Sequence, residues 1–169
     1  INLEDIKAPE CFYIEKKLRE RCKIPVFHDD QHGTAIITAA TVLNGLRLVG
    51  KDIGQVRLVC SGAGAAAIAC LDLLVALGMK RENITVCDSK GVIYQTREDR
   101  ERMDASKVRY AIEDKGWRKL GDAVPGADIF LGLSGPNVLS TDMLKQMTAS
   151  PIVLAMANPQ PEIWPPEAK

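Results

Sequence analysis

The sequence predicts an α/β fold: a doubly wound, mostly parallel sheet with helices on both faces. Three observations carry this. Short apolar runs recur at residues 56–60, 84–87, 128–131 and 151–155, each closed by polar, glycine or proline residues. Segments rich in alanine and leucine with helical periodicity stand between or before them. The first run leads directly into Ser61-Gly62-Ala63-Gly64, a turn that opens a helix. Strands alternating with helices build parallel sheets, and right-handed crossovers wind them on both sides.

Taken in order, Pro9 suits the first turn of a helix, and residues 9–22 read as helix. Phe12, Ile14 and Leu18 give it a partial apolar face; Glu15, Lys16, Lys17, Arg19, Glu20 and Arg21 fill the other. Pro25-Val26-Phe27 reads as a short strand. Asp30 is placed to cap a helix over about residues 31–49, apolar around much of its circumference and so expected to be largely buried. Residues 65–77 form the helix after the glycine turn, stopped by Gly78. The second strand ends in Asp88. Residues 97–116 are charged, helical in part, and read as a surface excursion. Short helices are expected at 120–124 and 141–147. The tail with Pro161, Pro165 and Pro166 excludes regular helix or central strand.

The 169 residues, 46% of them hydrophobic, suffice for one domain with a real core. Lysine plus arginine equal aspartate plus glutamate at 22 each, so no global charge favours nucleic acid or a membrane surface as partner. No apolar run is long enough to span a bilayer. The chain opens on Ile1-Asn2-Leu3 with no methionine and no signal peptide, which reads as a segment of something longer. Cys11, Cys22, Cys60, Cys70 and Cys87 form no Cys-x-x-Cys pair and read as free thiols of a reducing compartment, the cytoplasm or an organelle matrix.

Two motifs carry chemistry. Gly62-Ala63-Gly64-Ala65-Ala66-Ala67 fits G-x-G-x-x-[GA], between a strand and a helix. The first glycine permits the tight turn, the second lets a pyrophosphate approach the backbone, and the small third residue lets helix and strand pack closely. The N–H groups at the helix start then face the phosphates. This context makes the predicted sheet Rossmann-like. Asp88, ending the next strand, is placed for a ribose hydroxyl, which favours NAD; Ser89, Lys90 and Arg97 could accept a 2′-phosphate, which favours NADP. The second motif is acidic. Asp29-Asp30 side by side repel unless a cation or strong donor compensates. With Glu4-Asp5 upstream they offer the oxygen ligands that Mg²⁺ or Mn²⁺ prefer. His28 and His32 are spaced i, i+4, but with a helix starting between them they read as locally hydrogen-bonded rather than as zinc ligands.

Five segments occur in a fixed order: Ile1-Asn2-Leu3-Glu4-Asp5-Ile6, Val26-Phe27-His28-Asp29-Asp30-Gln31-His32-Gly33-Thr34-Ala35, Gly62-Ala63-Gly64-Ala65-Ala66, Cys87-Asp88-Ser89-Lys90-Gly91 and Ala157-Asn158-Pro159. Together they closely resemble the malic enzyme family, bacterial type, over essentially the whole chain. The resemblance implies oxidation of malate by NAD(P)⁺ and decarboxylation to pyruvate and CO₂. It implies Glu4, Asp5 and Asp30 as metal ligands, with Asp29 just behind them. It implies Asn158 near substrate and nicotinamide, and Gly62, Ala63, Gly64, Ala65, Ala66, Asp88, Ser89 and Lys90 around the nucleotide. On this footing residues 1–50 are a metal-site segment with lead-in helices and 51–169 the dinucleotide-binding core. The family's general acid/base tyrosine and lysine belong to a domain N-terminal to the Glu-Asp motif, and Tyr13, Tyr94 and Tyr110 do not match its tyrosine motif. The chain alone is therefore expected to be inactive, and the full-length protein to be a homo-oligomer. Two other readings compete: a metal-independent Rossmann dehydrogenase, and a non-catalytic nucleotide-binding regulatory module.

Overall fold

The computed structural model describes all residues, 1–169. Its centre is a five-stranded sheet in which Leu58–Ser61 (β3), Ile84–Asp88 (β4), Ile129–Gly132 (β6) and Ile152–Ala155 (β7) run parallel. Gly91–Val92 (β5) adds a short antiparallel edge beside β4. The spatial order is β5-β4-β3-β6-β7. The chain leaves β3 towards β4, then crosses back to β6 on its other side, so the strand order reverses next to the glycine turn. Such a switch point opens a crevice beyond the carboxyl ends of the strands.

Period-two alternation divides the strands between two cores. Leu58, Cys60, Ile84, Val86, Ile129 and Leu131 face Thr34–Val49 (α2) and Ala65–Ala76 (α3). Val59, Cys87 and Phe130 face the other side, covered by Leu120–Ala123 (α5), Thr141–Leu144 (α6) and Ile163 from the tail. The predicted α/β, doubly wound architecture is thus observed. Each predicted main strand lies within two residues of its observed bounds. Lys51, just past the left-handed Gly50 that ends α2, fastens the sheet's lower rim: its ammonium donates to Asp128 Oδ1 (2.8 Å), Thr148 Oγ1 (2.9 Å) and the Ala149 carbonyl (2.8 Å).

Several local expectations are corrected. Asn2–Leu3 (β1) pairs in parallel with Phe27–His28 (β2), one residue beyond the predicted strand. Asp30 does not cap a helix. Residues Asp29–Gly33 form a π-helical turn, in which the Thr34 N–H reaches back five residues to the Asp29 carbonyl, and α2 follows. α2 is buried on one face only: Ala35, Ala39, Val42 and Leu46 are covered, whereas Ile36, Ile37 and Leu48 are exposed. Glu15, on Glu10–Arg21 (α1), is buried rather than solvated, because Arg19 Nη2 (2.9 Å) and His32 Nε2 (2.7 Å) both meet its Oε1. Segment 97–116 is mostly exposed and helical in part, as expected, but two of its side chains reach into the fold. It holds only a 3₁₀ turn and Ala105–Val108 (α4), while Arg97 and Tyr110 are buried and the Tyr110 hydroxyl donates to Asp72 (2.6 Å). No helix is long and apolar enough to cross a membrane.

Candidate dinucleotide site

The glycine turn sits at the switch point. Gly62 has φ +116°, a left-handed conformation open to glycine, and a β-carbon there would overlap the Leu133 carbonyl on the neighbouring loop. Gly64 is different. Its backbone is extended (φ −82°, ψ −172°), and a β-carbon there would meet no atom within 4 Å. Nothing inside the fold requires a glycine at that place. Gly64 also gives α3 no side-chain cap, so the first N–H groups of the helix stay open to a ligand. Ala67 is fully buried, as close packing of α3 on β3 demands.

Ala63 and Gly64 line a cavity of about 520 Å³ together with Asp88, Ser89, Lys90, Arg97, Arg102 and Lys107. Sequence reasoning placed the first six of these together; Arg102 and Lys107 were missed, since nothing periodic marks them. Arg97 is the hub. Its Nη1 and Nη2 donate to Asp88 Oδ1 (2.9 Å) and Oδ2 (2.7 Å), and its Nε to Asp99 Oδ1 (2.7 Å). The Lys90 N–H also donates to Asp88 Oδ1 (2.9 Å), and the Lys90 ammonium to Asp99 Oδ2 (2.6 Å). Burial pushes the Asp88 carboxyl up, but Arg97 and the Lys90 N–H outweigh it and hold it below the usual range. Hydrogen bonds from Lys90 and Arg97 bring Asp99 down to about 2. Asp88 therefore stands as a carboxylate whose oxygens already have internal partners. A larger hollow of about 1010 Å³ adjoins this cavity, between α1, α2 and α3, lined by apolar groups such as Ile36, Ile68 and Leu73.

Pairing of β1 with β2 sets Leu3 opposite His28, so Glu4-Asp5 follows one strand and Asp29-Asp30 the other. Asp5 takes φ +58°, which aspartate tolerates better than most residues, and its N–H donates to Asp30 Oδ2 (2.8 Å). Glu4 Oε1 instead accepts from Asn2 Nδ2 (2.7 Å). No three His, Cys, Asp or Glu side chains stand close enough to hold a metal ion. Carboxylate oxygens are the donor type that a hard divalent cation takes, and the Asp5–Asp30 contact brings the two acidic pairs side by side. His32 meets Glu15 as a local hydrogen bond, as expected, but His28 does not follow that expectation: it is fully buried and neither ring nitrogen has a partner. Asn158 is exposed on the loop after β7, at the same end of the sheet as the glycine turn, outside the 520 Å³ cavity.

Residues 31–166 match the family model described as malic enzyme, NAD binding domain. The chain belongs to the malic enzyme family. It is 72% identical over 169 residues to an NADP-dependent malic enzyme of Haemophilus influenzae, covering 100% of this chain and 22% of that protein. It is 59% identical to an NAD-dependent malic enzyme of Rhizobium meliloti, again over 100% of this chain and 22% of the relative. The crystal structure of Entamoeba histolytica malic enzyme superposes with a TM-score of 0.91 at 43% identity, covering 99% of this chain and 36% of that one. The chain thus spans about a fifth of the length of these curated malic enzymes, and what it matches in them is the nucleotide-binding domain.

Proposed function

We propose that this malic enzyme domain binds NADP in preference to NAD, and that the full-length protein oxidises malate and decarboxylates the product to pyruvate and CO₂. The observation that carries nucleotide binding is Gly64: a glycine that no backbone angle and no neighbouring atom requires is explained by close approach of a pyrophosphate. Preference for NADP rests on Asp88. Its carboxylate is occupied by Arg97, while the Lys90 ammonium and Ser89 hydroxyl stand beside it with Arg102 and Lys107, a setting that suits a 2′-phosphate better than a free hydroxyl. Relatives of this chain with the name NADP-dependent malic enzyme reach 72% identity, which supports the same choice.

Glu4, Asp5 and Asp30 would hold Mg²⁺ or Mn²⁺, with Asp29 adjacent. Such a cation supplies Lewis-acid polarisation of malate's hydroxyl-bearing carbon and stabilises the charge left by CO₂ loss. Asn158 would orient substrate and nicotinamide from the β7 loop. Residues 1–169 alone turn over malate negligibly in this reading. Tyr110 is buried on Asp72, Tyr94 lies beneath the Arg118 guanidinium, and Tyr13 is on the solvent side of α1, so none of the three is set to act as acid. The full-length protein is a homo-oligomer in this reading, and malate is its small-molecule substrate.

The test is malate-dependent formation of NADPH and NADH by the full-length protein with Mn²⁺, with EDTA, and with Asp30→Ala. Reduction of NADP that needs metal, yields pyruvate and is lost in the variant supports the proposal. Reduction indifferent to EDTA points to a metal-free dehydrogenase. Nucleotide binding without any malate-dependent reduction points to a regulatory module.

A further inference from the structure

Glu162 lies in the proline-rich tail, yet it is fully buried. Its charge is met by two backbone N–H groups rather than by a cation. Oε1 accepts from Ser134 (3.0 Å), on the loop after β6; Oε2 accepts from Ala157 (3.0 Å), beside Asn158 on the loop after β7. Gly132, which ends β6, makes the room: a β-carbon there would overlap the Glu162 carboxylate. The Ser134 hydroxyl in turn lies 2.8 Å from the Ser61 hydroxyl, the residue that leads into Gly62.

An ion buried without a counter-charge is a poor route to stability, since apolar groups of the same size serve as well or better. Neighbouring Ile163 already anchors the tail in the second core. What a carboxylate adds is two strong, directional acceptors a fixed distance apart. We infer that Glu162 is a positioning residue: it spans the loops after β6 and β7 and fixes Asn158 and Ser134 relative to the glycine turn, so that the nicotinamide end of the site is preset. This rests on the malic enzyme reading proposed above.

The test uses the full-length enzyme with Glu162→Gln, which keeps size but offers one acceptor oxygen to two N–H groups. Because small displacements at a reacting centre are costly, kcat is expected to fall about ten- to a hundredfold, with a raised malate KM. Affinity for adenosine 2′,5′-bisphosphate, which probes only the adenine half, is expected to stay within about twofold, since the loops in question do not line that cavity. A folded variant with wild-type kcat and malate KM, changed only in melting temperature, overturns the inference. If Glu162→Gln does not fold, Gly132→Ala, whose methyl displaces the carboxylate, is read by the same two measurements; should neither fold, Glu162 is a folding determinant and the positioning role is rejected. A wild-type enzyme with no malate-dependent NADP reduction sinks the parent reading, whereas an active wild type with an unaffected variant sinks this inference alone.

Discussion

Arg97 holds both oxygens of Asp88, at 2.9 and 2.7 Å, so the carboxylate at the tip of the second Rossmann strand is neutralised from within the protein. Removing the guanidinium returns a bare carboxylate to the nucleotide cavity. It would repel a 2′-phosphate and accept ribose hydroxyls. Arg97→Ala is expected to shift the ratio of kcat/KM for NADP over NAD towards NAD by about tenfold or more, roughly 1.4 kcal/mol. Steady-state kinetics of the full-length protein with each nucleotide would check it; an unchanged ratio removes Arg97 from the account of specificity.

The two glycines of the turn separate folding from binding. Gly62→Ala meets both a positive φ and the Leu133 carbonyl, and is expected to lose about 3 kcal/mol of stability. Gly64→Ala meets neither and is expected to leave stability within about 0.5 kcal/mol while weakening NADP binding about tenfold. Urea unfolding and titration calorimetry on the same samples distinguish them. Equal affinity in Gly64→Ala and wild type would remove the main support for pyrophosphate approach.

Acid should release the Lys51–Asp128 fastening. Burial pushes Asp128 up, but hydrogen bonds from Lys51, the Arg57 N–H and Thr148 prevail and hold it below its ordinary value. A lowered folded-state pKa contributes stability that is complete above the unfolded value of about 4 and is lost as pH falls through the folded one. Asp128→Asn should therefore be less stable than wild type at pH about 7, with the gap closing below pH about 4. A gap independent of pH would mean that the charge of Asp128 contributes nothing.

The thiols should be mostly silent. Burial raises Cys11, Cys60 and Cys70, and pushes Cys87 up to about 12, so little thiolate forms at neutral pH. Of five free cysteines, Cys22 alone is not buried. One fast-reacting thiol in the native protein and five in denaturant is the expected count with a disulfide reagent. Rapid modification of Cys60 or Cys87 in native protein would contradict the packing.

The sheet was legible because its strands are short, continuous apolar runs, as strands covered on both faces are, and the glycine turn because its spacing is local too. The π turn at residues 29–33 was not, since hydrophobic periodicity carries no mark of an i to i+5 bond, and Asp30 reads as an ordinary cap. Arg97 and Glu162 were half-seen or missed for a related reason. Their roles come from partners that the crossover topology brings near, and in the sequence one is a charge among charges, the other a residue in a tail of prolines. Exposure of Ile36, Ile37 and Leu48 is likewise invisible in a pattern that records apolarity, not what lies opposite. In the acidic site, carboxylate type and order could be read, but the turn of Glu4 towards Asn2 could not.

The strands β1 and β2, which the four carboxylates follow, form a sheet of their own, without a ladder bond to the five-stranded one. The segment from Asp88 to Lys107 that lines the 520 Å³ cavity starts instead at the end of β4, in the larger sheet. In the proposed reading, the cation ligands and the nucleotide contacts thus hang from different sheets. A lineage could exchange one nucleotide for the other by changes around Asp88 while the register of Leu3 against His28 stays as it is. That the same fold and length match malic enzymes named for NADP and for NAD, at 72% and 59% identity, is what such a division of labour leads one to expect.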